Sequence, residues 1–303
     1  MIYTIKLWLR AIRPFAYPAS AVPVFVGVTA AWTEGYGFNS LTAFFTLLGV
    51  LAAHTGGNLM SDYFDFKKGV DREGKLGGSG VLVGGLLSPR AIFIGSLVSF
   101  AIAGVVAHFI MIYAGWKIIW LVLAGLFAGL FYSAPPFGFK YGALGELVIF
   151  FSFGVCVTLG AYVVQSGSYS WTPVFYSIPL GLLISAILNI NNIRDTQTDL
   201  EAGVMTLAGV IGPDRSRFIY AGFIVASYAS LVFFAIRGNI IPGAAIAVTT
   251  FPVATNLMMK VWRAPRGQGD SIAFLDVKTA QLSLIFGMSM IFGMVMWKVF
   301  FAS

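Results

Sequence analysis

Charge is what this 303-residue sequence has least of: Asp, Glu, Lys and Arg together make up 10% of it, against about 25% in an ordinary soluble domain. With 58% hydrophobic residues, that shortage excludes a water-soluble globule and points to a polytopic membrane protein. Cysteine is nearly absent. Cys156 stands alone, so no intrachain disulfide can form. Histidine is limited to His54 and His108, both within apolar runs, so a zinc site built from His and Cys is excluded as well. The net charge of +7 does not indicate nucleic acid in such a chain. It fits basic loops facing anionic lipid, with an anionic substrate as a second contributor.

What is there is a series of long apolar runs. They predict an all-α fold with nine transmembrane helices, at about 14–33, 41–65, 89–114, 117–134, 144–166, 172–195, 217–237, 240–262 and 279–301. With nine spans, 16 of the 19 basic residues fall on one side of the membrane, and only Lys117, Arg237 and Lys298 on the other. The positive-inside rule then places the N-terminus in the cytoplasm and the C-terminus outside. The chain reads as one domain, 1–303.

Two of these runs end in acid. The first closes on Asn58, Asp62 and Asp65, at i, i+4 and i+7, followed by Asp71. The second closes on Asn191, Asn192, Arg194, Asp195 and Asp199. The spacing stacks the carboxylates on one face of each helix. Ionised Asp is costly beside hydrocarbon and marks an ion or substrate site there. Oxygen ligands of this kind suit Mg²⁺, whose shell is commonly completed by phosphate.

Two acidic helix ends on the cytoplasmic rim, with an apolar interior behind them, match an isoprenyl diphosphate: a charged head on a hydrocarbon tail. Asp62, Asp65, Asp71, Asp195 and Asp199 are the candidate metal ligands. Asn58 and Tyr132 are candidates to face an allylic cation. The candidate diphosphate contacts are Lys67, Lys68, Arg72, Lys75, Lys140 and Arg194. The loop 66–90 is rich in Gly and in Lys and Arg, and reads as a lid or a flexible connector.

The sequence resembles the UbiA superfamily of intramembrane prenyltransferases, on Asn58-x-x-x-Asp62-x-x-Asp65-x-x-x-x-x-Asp71 and on Asn191-Asn192-x-Arg194-Asp195-x-x-x-Asp199. Within it the menaquinone-pathway branch, the 1,4-dihydroxy-2-naphthoate prenyltransferases, is most similar. Arg13-Pro14-Phe15, Leu144-Gly145-Glu146-Leu147 and Ala202-Gly203 carry that likeness. The resemblance implies nine helices around a central cavity and Mg²⁺-dependent transfer of a prenyl group to a naphthoate-type acceptor. It also implies substrate access from the lipid, with Arg13 and Asn192 among the substrate-binding residues. Similar proteins carry a basic residue where this chain has Gly80 and a Lys where it has Val204. Two alternatives stand beside this reading. One keeps the fold and takes a prenylglyceryl phosphate acceptor, giving an ether lipid. The other is an ion-coupled transporter with intramembrane Asp in pseudo-repeated halves.

Overall fold

The computed structural model describes residues 2–72, 78–265 and 269–301. The fold is all helical. Helix α1 (Ile2–Ile12) runs into α2 (Pro18–Thr33) through a 51° bend, and α3 (Ser40–Lys68), α4 (Pro89–Ala114) and the short α5 (Trp116–Phe131) follow. Then come α6 (Gly145–Ser166), α7 (Thr172–Glu201), α8 (Pro213–Ile236), α9 (Pro242–Arg263) and α10 (Leu275–Phe301). Among the described residues seven helices are long and apolar enough to cross a bilayer, or eight if the bent α1–α2 pair counts as one span. Two expected spans are the exceptions: 14–33, which qualifies only with α1 and α2 taken together, and 117–134, whose helix is too short. The latter helix ends at Phe131, because Ser133-Ala-Pro135-Pro136 cannot continue it.

The two acid-bearing helices are the longest, with 29 residues in α3 and 30 in α7. At 1.5 Å per residue each is roughly 45 Å long, against a hydrocarbon core of about 30 Å. Both are therefore longer than the apolar layer is thick, and the Asp residues lie toward one end of each helix. Helix α3 starts at Asn39, whose side chain accepts from Thr42 N at 3.1 Å, and stops at Gly69, where φ is 70°. Lys67 and Lys68 in its last turn suit the negative end of its dipole. Helix α7 is the axis of the bundle. Of its most apolar 18 residues 67% are buried, against 33% or less in the other spans.

Lipid offers no hydrophobic reward for bringing helices together, so close backbone packing has to do it. Three seams in this bundle run through glycine. A Cβ on Gly27 of α2 would lie 2.2 Å from Thr158 O of α6. One on Gly154 of α6 would lie 2.7 Å from Gly181 Cα of α7. Gly243 of α9 and Gly293 of α10 face each other with 2.2 and 1.9 Å between each such Cβ and the opposing carbonyl oxygen. Helix α6 widens into a π-helical segment over Phe150–Cys156, which turns Ser152, Phe153 and Cys156 toward the central cavity.

Loop 66–90 is tethered in its second half. Val81 and Leu82 join Ala11, Leu59 and Ile92 in a small core, and Arg10 Nε donates to Ser79 O at 2.6 Å. Lys75, Gly74 and Gly77, and the basic residue Arg266, lie outside the described residues.

Candidate active site

A cavity of about 730 Å³ occupies the middle of the bundle. Its deeper walls are apolar: Ala103 and Ile110 from α4, Leu121 and Val122 from α5, Val157 from α6, Leu284 from α10. Gly125 of α5 and Gly160 of α6 also line it, and neither has an atom nearer than 4.0 Å to where its Cβ would stand. Its other walls carry most of the residues singled out in the sequence. Asn58, Asp65, Asp71, Tyr132, Lys140, Asn192, Arg194, Asp195, Asp199 and Arg13 all line it. The ends of α3 and α7 therefore share one chamber.

Three of the carboxylates are paired with cations. Asp62 is buried beneath Arg13 and also accepts from Ser79 Oγ. That cover keeps Asp62 off the cavity wall. Asp65 pairs with Lys140, accepts from Ser61 Oγ at 3.1 Å and from Tyr141 OH at 2.9 Å. Lys140 Nζ in turn donates to Ser61 Oγ at 2.7 Å. Asp195 accepts two bonds from Arg194, each 2.8 Å, and the same guanidinium reaches Asp276 at 3.0 Å. Asp199 is buried, and its carbonyl accepts from Val204 N at 2.8 Å. Asn58 Nδ2 donates to Ile12 O at 3.1 Å, which ties α3 to the bend after α1.

Arg13 holds a left-handed backbone, with φ 55° and ψ 63°. For a non-glycine residue that costs about 1–2 kcal/mol. The bend and the ion pair with Asp62 hold it there.

Electrostatics at the mouth show an excess of negative charge. Asp71 is pushed up to about 6 by burial first, then by the charges of Asp65 and Asp62, with Lys140 and Arg13 opposing. Burial alone would lower the Lys140 ammonium. The charge and hydrogen bond of Asp65, with Asp71 behind it, outweigh burial and hold Lys140 above its ordinary range.

Lys68 and Arg72 do not reach the chamber. Lys68 is exposed, with Nζ 4.7 Å from the centroid of the Tyr141 ring. Arg72 follows the turn at Gly69 outward and pairs with Glu201 Oε2 at 2.8 Å, both about half exposed. Beside Gly80 the guanidinium of Arg10 stands: a Cβ on Gly80 would lie 2.8 Å from Arg10 Nη2.

Two further acids belong to the site, Asp276, which no motif marks, and Glu146, which the sequence shows within Leu144-Gly145-Glu146-Leu147 without a site role. Asp276 lines the chamber and shares Arg194. Its signal is its place just before the last apolar run, 279–301. Glu146 is buried beneath the wall and accepts from Asn189 and Asn192. A carboxylate inside an apolar run was its signal.

Among the described residues no three His, Cys, Asp or Glu side chains converge as a ready-made metal cage. The donor set nevertheless fits a hard divalent ion. Asn191 Oδ1 and Asp276 Oδ1 are buried without a hydrogen-bond partner, and both residues line the chamber. With the Asp carboxylates they supply the all-oxygen ligands such an ion takes. On the anionic side, Arg13 Nε is a buried donor without a partner.

Comparison with known proteins agrees with this geometry. The model of the UbiA prenyltransferase family matches residues 20–296. The "UbiA prenyltransferase domain-containing protein 1" of Rattus norvegicus is 33% identical over 293 residues, which cover 95% of this chain and 83% of that protein. The Homo sapiens protein of the same name gives the same identity and coverage. Among solved structures, a UbiA homologue from Archaeoglobus fulgidus bound to GPP and Mg²⁺ superposes with a TM-score of 0.70 at 17% identity, covering 94% of this chain and 99% of the other. A digeranylgeranylglyceryl phosphate synthase superposes with a TM-score of 0.66 at 17% identity, covering 98% and 100%. At such identities the structural likeness is one of fold. The family match and the 33% relatives, each spanning nearly all of the sequence, reach further: the chain belongs to the UbiA prenyltransferase family.

Proposed function

We propose that this enzyme moves an isoprenyl group from an isoprenyl diphosphate to a lipophilic acceptor inside the bilayer, with Mg²⁺ as its metal and pyrophosphate as leaving group. The observation that carries the reading is the sharing of one apolar chamber by the acidic ends of α3 and α7. Family membership leaves the transporter alternative without support.

Asp65, Asp71, Asp195 and Asp199 would hold the metal from the wall, with Asp62 behind Arg13. When bound, Mg²⁺ neutralises the leaving diphosphate and assists C–O cleavage as a Lewis acid. Lys140, Arg194 and Arg13 would share the diphosphate charge, exchanging carboxylate partners for phosphate oxygens. As the C–O bond breaks, its electron pair goes to the diphosphate. Asn58, Asn192 and Tyr132 would face the allylic carbon with dipole or ring electrons. The acceptor then forms the new bond to that carbon and loses a proton.

In the same reading α5 counts as a ninth span, with the N-terminus and both acidic ends cytoplasmic and the C-terminus outside. The 16-to-3 division of basic residues supports it. Reporters fused in loop 196–216 and after Ser303 should read cytoplasmic and external respectively. A cytoplasmic C-terminus would sink the nine-span topology.

Two acceptors fit an apolar chamber, and a different observation favours each. A naphthoate-type aromatic, as in menaquinone biosynthesis, is favoured by cation supply. Arg13, Lys140 and Arg194 already face carboxylates, and a diphosphate would engage all three. A prenylglyceryl phosphate would bring a second phosphate that needs cations of its own. That second acceptor is favoured by the digeranylgeranylglyceryl phosphate synthase, whose fold this chain shares over 98% of its length. The test offers each acceptor separately to purified protein with Mg²⁺ and labelled geranylgeranyl diphosphate. Transfer to the naphthoate compound, abolished by chelator, is the expected result. Transfer only to the glyceryl phosphate compound would reverse the choice of acceptor, and transfer to neither would overturn the function.

A further inference from the structure

Glu146 is 4% exposed and lies behind the chamber wall, where it plays no part in the transfer described above. Its Oε1 accepts from Asn189 Nδ2 at 3.1 Å and from Asn192 Nδ2 at 3.0 Å. Its Oε2 and the Oδ1 of Asn189 are buried without a partner. The contact is built in from both helices: Ser185 Oγ of α7 donates to Glu146 O at 3.0 Å, and Gly145 lets α6 approach Leu188.

As packing alone this arrangement is poor. An acid with one oxygen orphaned costs stability that an apolar side chain of similar size would not. Its effect on Asn192 is specific, however. The two ends of an amide are nearly the same size and opposite in polarity. A carboxylate oxygen only accepts, so Asn192 must turn its NH₂ toward Glu146. That leaves Oδ1 as the atom Asn192 can present to the chamber it lines. Flipped, the same side chain would show two N–H donors to a developing positive charge and repel it.

We propose that Glu146 is a positioning residue that fixes the polarity of the Asn192 amide, so that its carbonyl dipole faces the reacting end of the prenyl donor. The proposal deepens the prenyl-transfer reading and rests on it for its kinetic readout.

The test uses the full chain in detergent or proteoliposomes, with geranylgeranyl diphosphate as donor. E146M keeps the volume and removes the acceptor. It should lower kcat about 10–100-fold with little change in KM for the donor. N192A should lower kcat comparably, and the E146M/N192A double variant should lose no more than either, because both remove one interaction. E146Q keeps an acceptor oxygen and should recover most of what E146M loses. N192D faces one acid with another and should lose activity. E146Q/N192D reverses the hydrogen bond, with the amide now donating to the acid, and should regain activity. This exchange pair decides the matter even if E146M does not fold. Losses that multiply in the double variant, E146Q as slow as E146M, or an exchange pair no better than N192D would each overturn the proposal. The unmodified chain is the control. Absence of turnover there overturns the transfer reading instead, and the exchange pair is then scored by thermal unfolding, where N192D should lower the midpoint and E146Q/N192D restore it.

Discussion

Asp65→Asn and Asp195→Asn are each expected to slow prenyl transfer by about 10²–10³-fold, the scale of losing one preorganised electrostatic group in a dry site, in protein that still folds. Folding should survive at some cost in stability: Asp65→Asn takes the counter-charge from Lys140, but that side chain is 25% exposed and still donates to Ser61 Oγ at 2.7 Å. An Asn at 65 has one acceptor oxygen, so it keeps either the bond from Ser61, which reaches Oδ2 at 3.1 Å, or the bond from Tyr141, which reaches Oδ1 at 2.9 Å. At 195 the guanidinium of Arg194 keeps Asp276, 3.0 Å away. The loss should fall on chemistry, because each change removes a charge and an oxygen from the proposed metal set while leaving the chamber's shape alone. Turnover per folded molecule and a Mg²⁺ titration check it, and both variants should require more Mg²⁺ than the unmodified chain. Near-normal turnover with an unchanged Mg²⁺ requirement in both would remove these residues from the metal site.

Lys140→Met should cut kcat/KM for the donor by a similar factor, and it should also destabilise the protein. Asp65 is 5% exposed and Lys140 25% exposed at the side chain, so the pair is largely out of water. Removing one partner of a buried pair costs about 3–5 kcal/mol, and the part-exposure of Lys140 puts this case at the low end. The two effects separate in a cycle. In an Asp65→Asn background Lys140 is itself the unpaired charge, so Lys140→Met strands no carboxylate and should cost much less stability, yet it should still weaken donor binding because a diphosphate contact is gone. Thermal unfolding and donor titration of the four proteins measure both terms. Equal destabilisation in the two backgrounds would refute the pairing, and unchanged donor affinity would refute the phosphate role.

Helical spacing made the acidic faces legible from sequence. Asn58, Asp62 and Asp65 are one helical face whatever the tertiary fold, and so are Asn191, Asp195 and Asp199. Parity of spans brought both to the same rim. What spacing does not encode is which distant side chains meet there. That Arg13 covers Asp62 depends on a left-handed turn at the α1–α2 bend. That Lys140 reaches Asp65 while Lys68, three residues from it, faces away depends on how loop 132–145 folds under α3. Asp276 and Glu146 stand alone in their segments, without a second acid at helical spacing to mark them. The span count exceeded the clear spanning helices for two local reasons, of which the first is that the opening run qualifies only as the bent α1–α2 pair. The second is that hydropathy carried the fourth run through Tyr132 to Ala134, and the backbone leaves the helix at Phe131.

The glycines of this bundle face two different histories. At Gly27, Gly154, Gly243 and Gly293 even a methyl group meets backbone of a neighbouring helix, so a change there forces the helices apart. Gly125 and Gly160 border the chamber and touch nothing within 4 Å except a leucine tip at that limit. A larger residue there intrudes only on the space a hydrocarbon tail would fill. Descendants of this protein can therefore drift in the size of tail they accept by changing α5 and the facing turn of α6, while the seams that hold the helices together stay as they are.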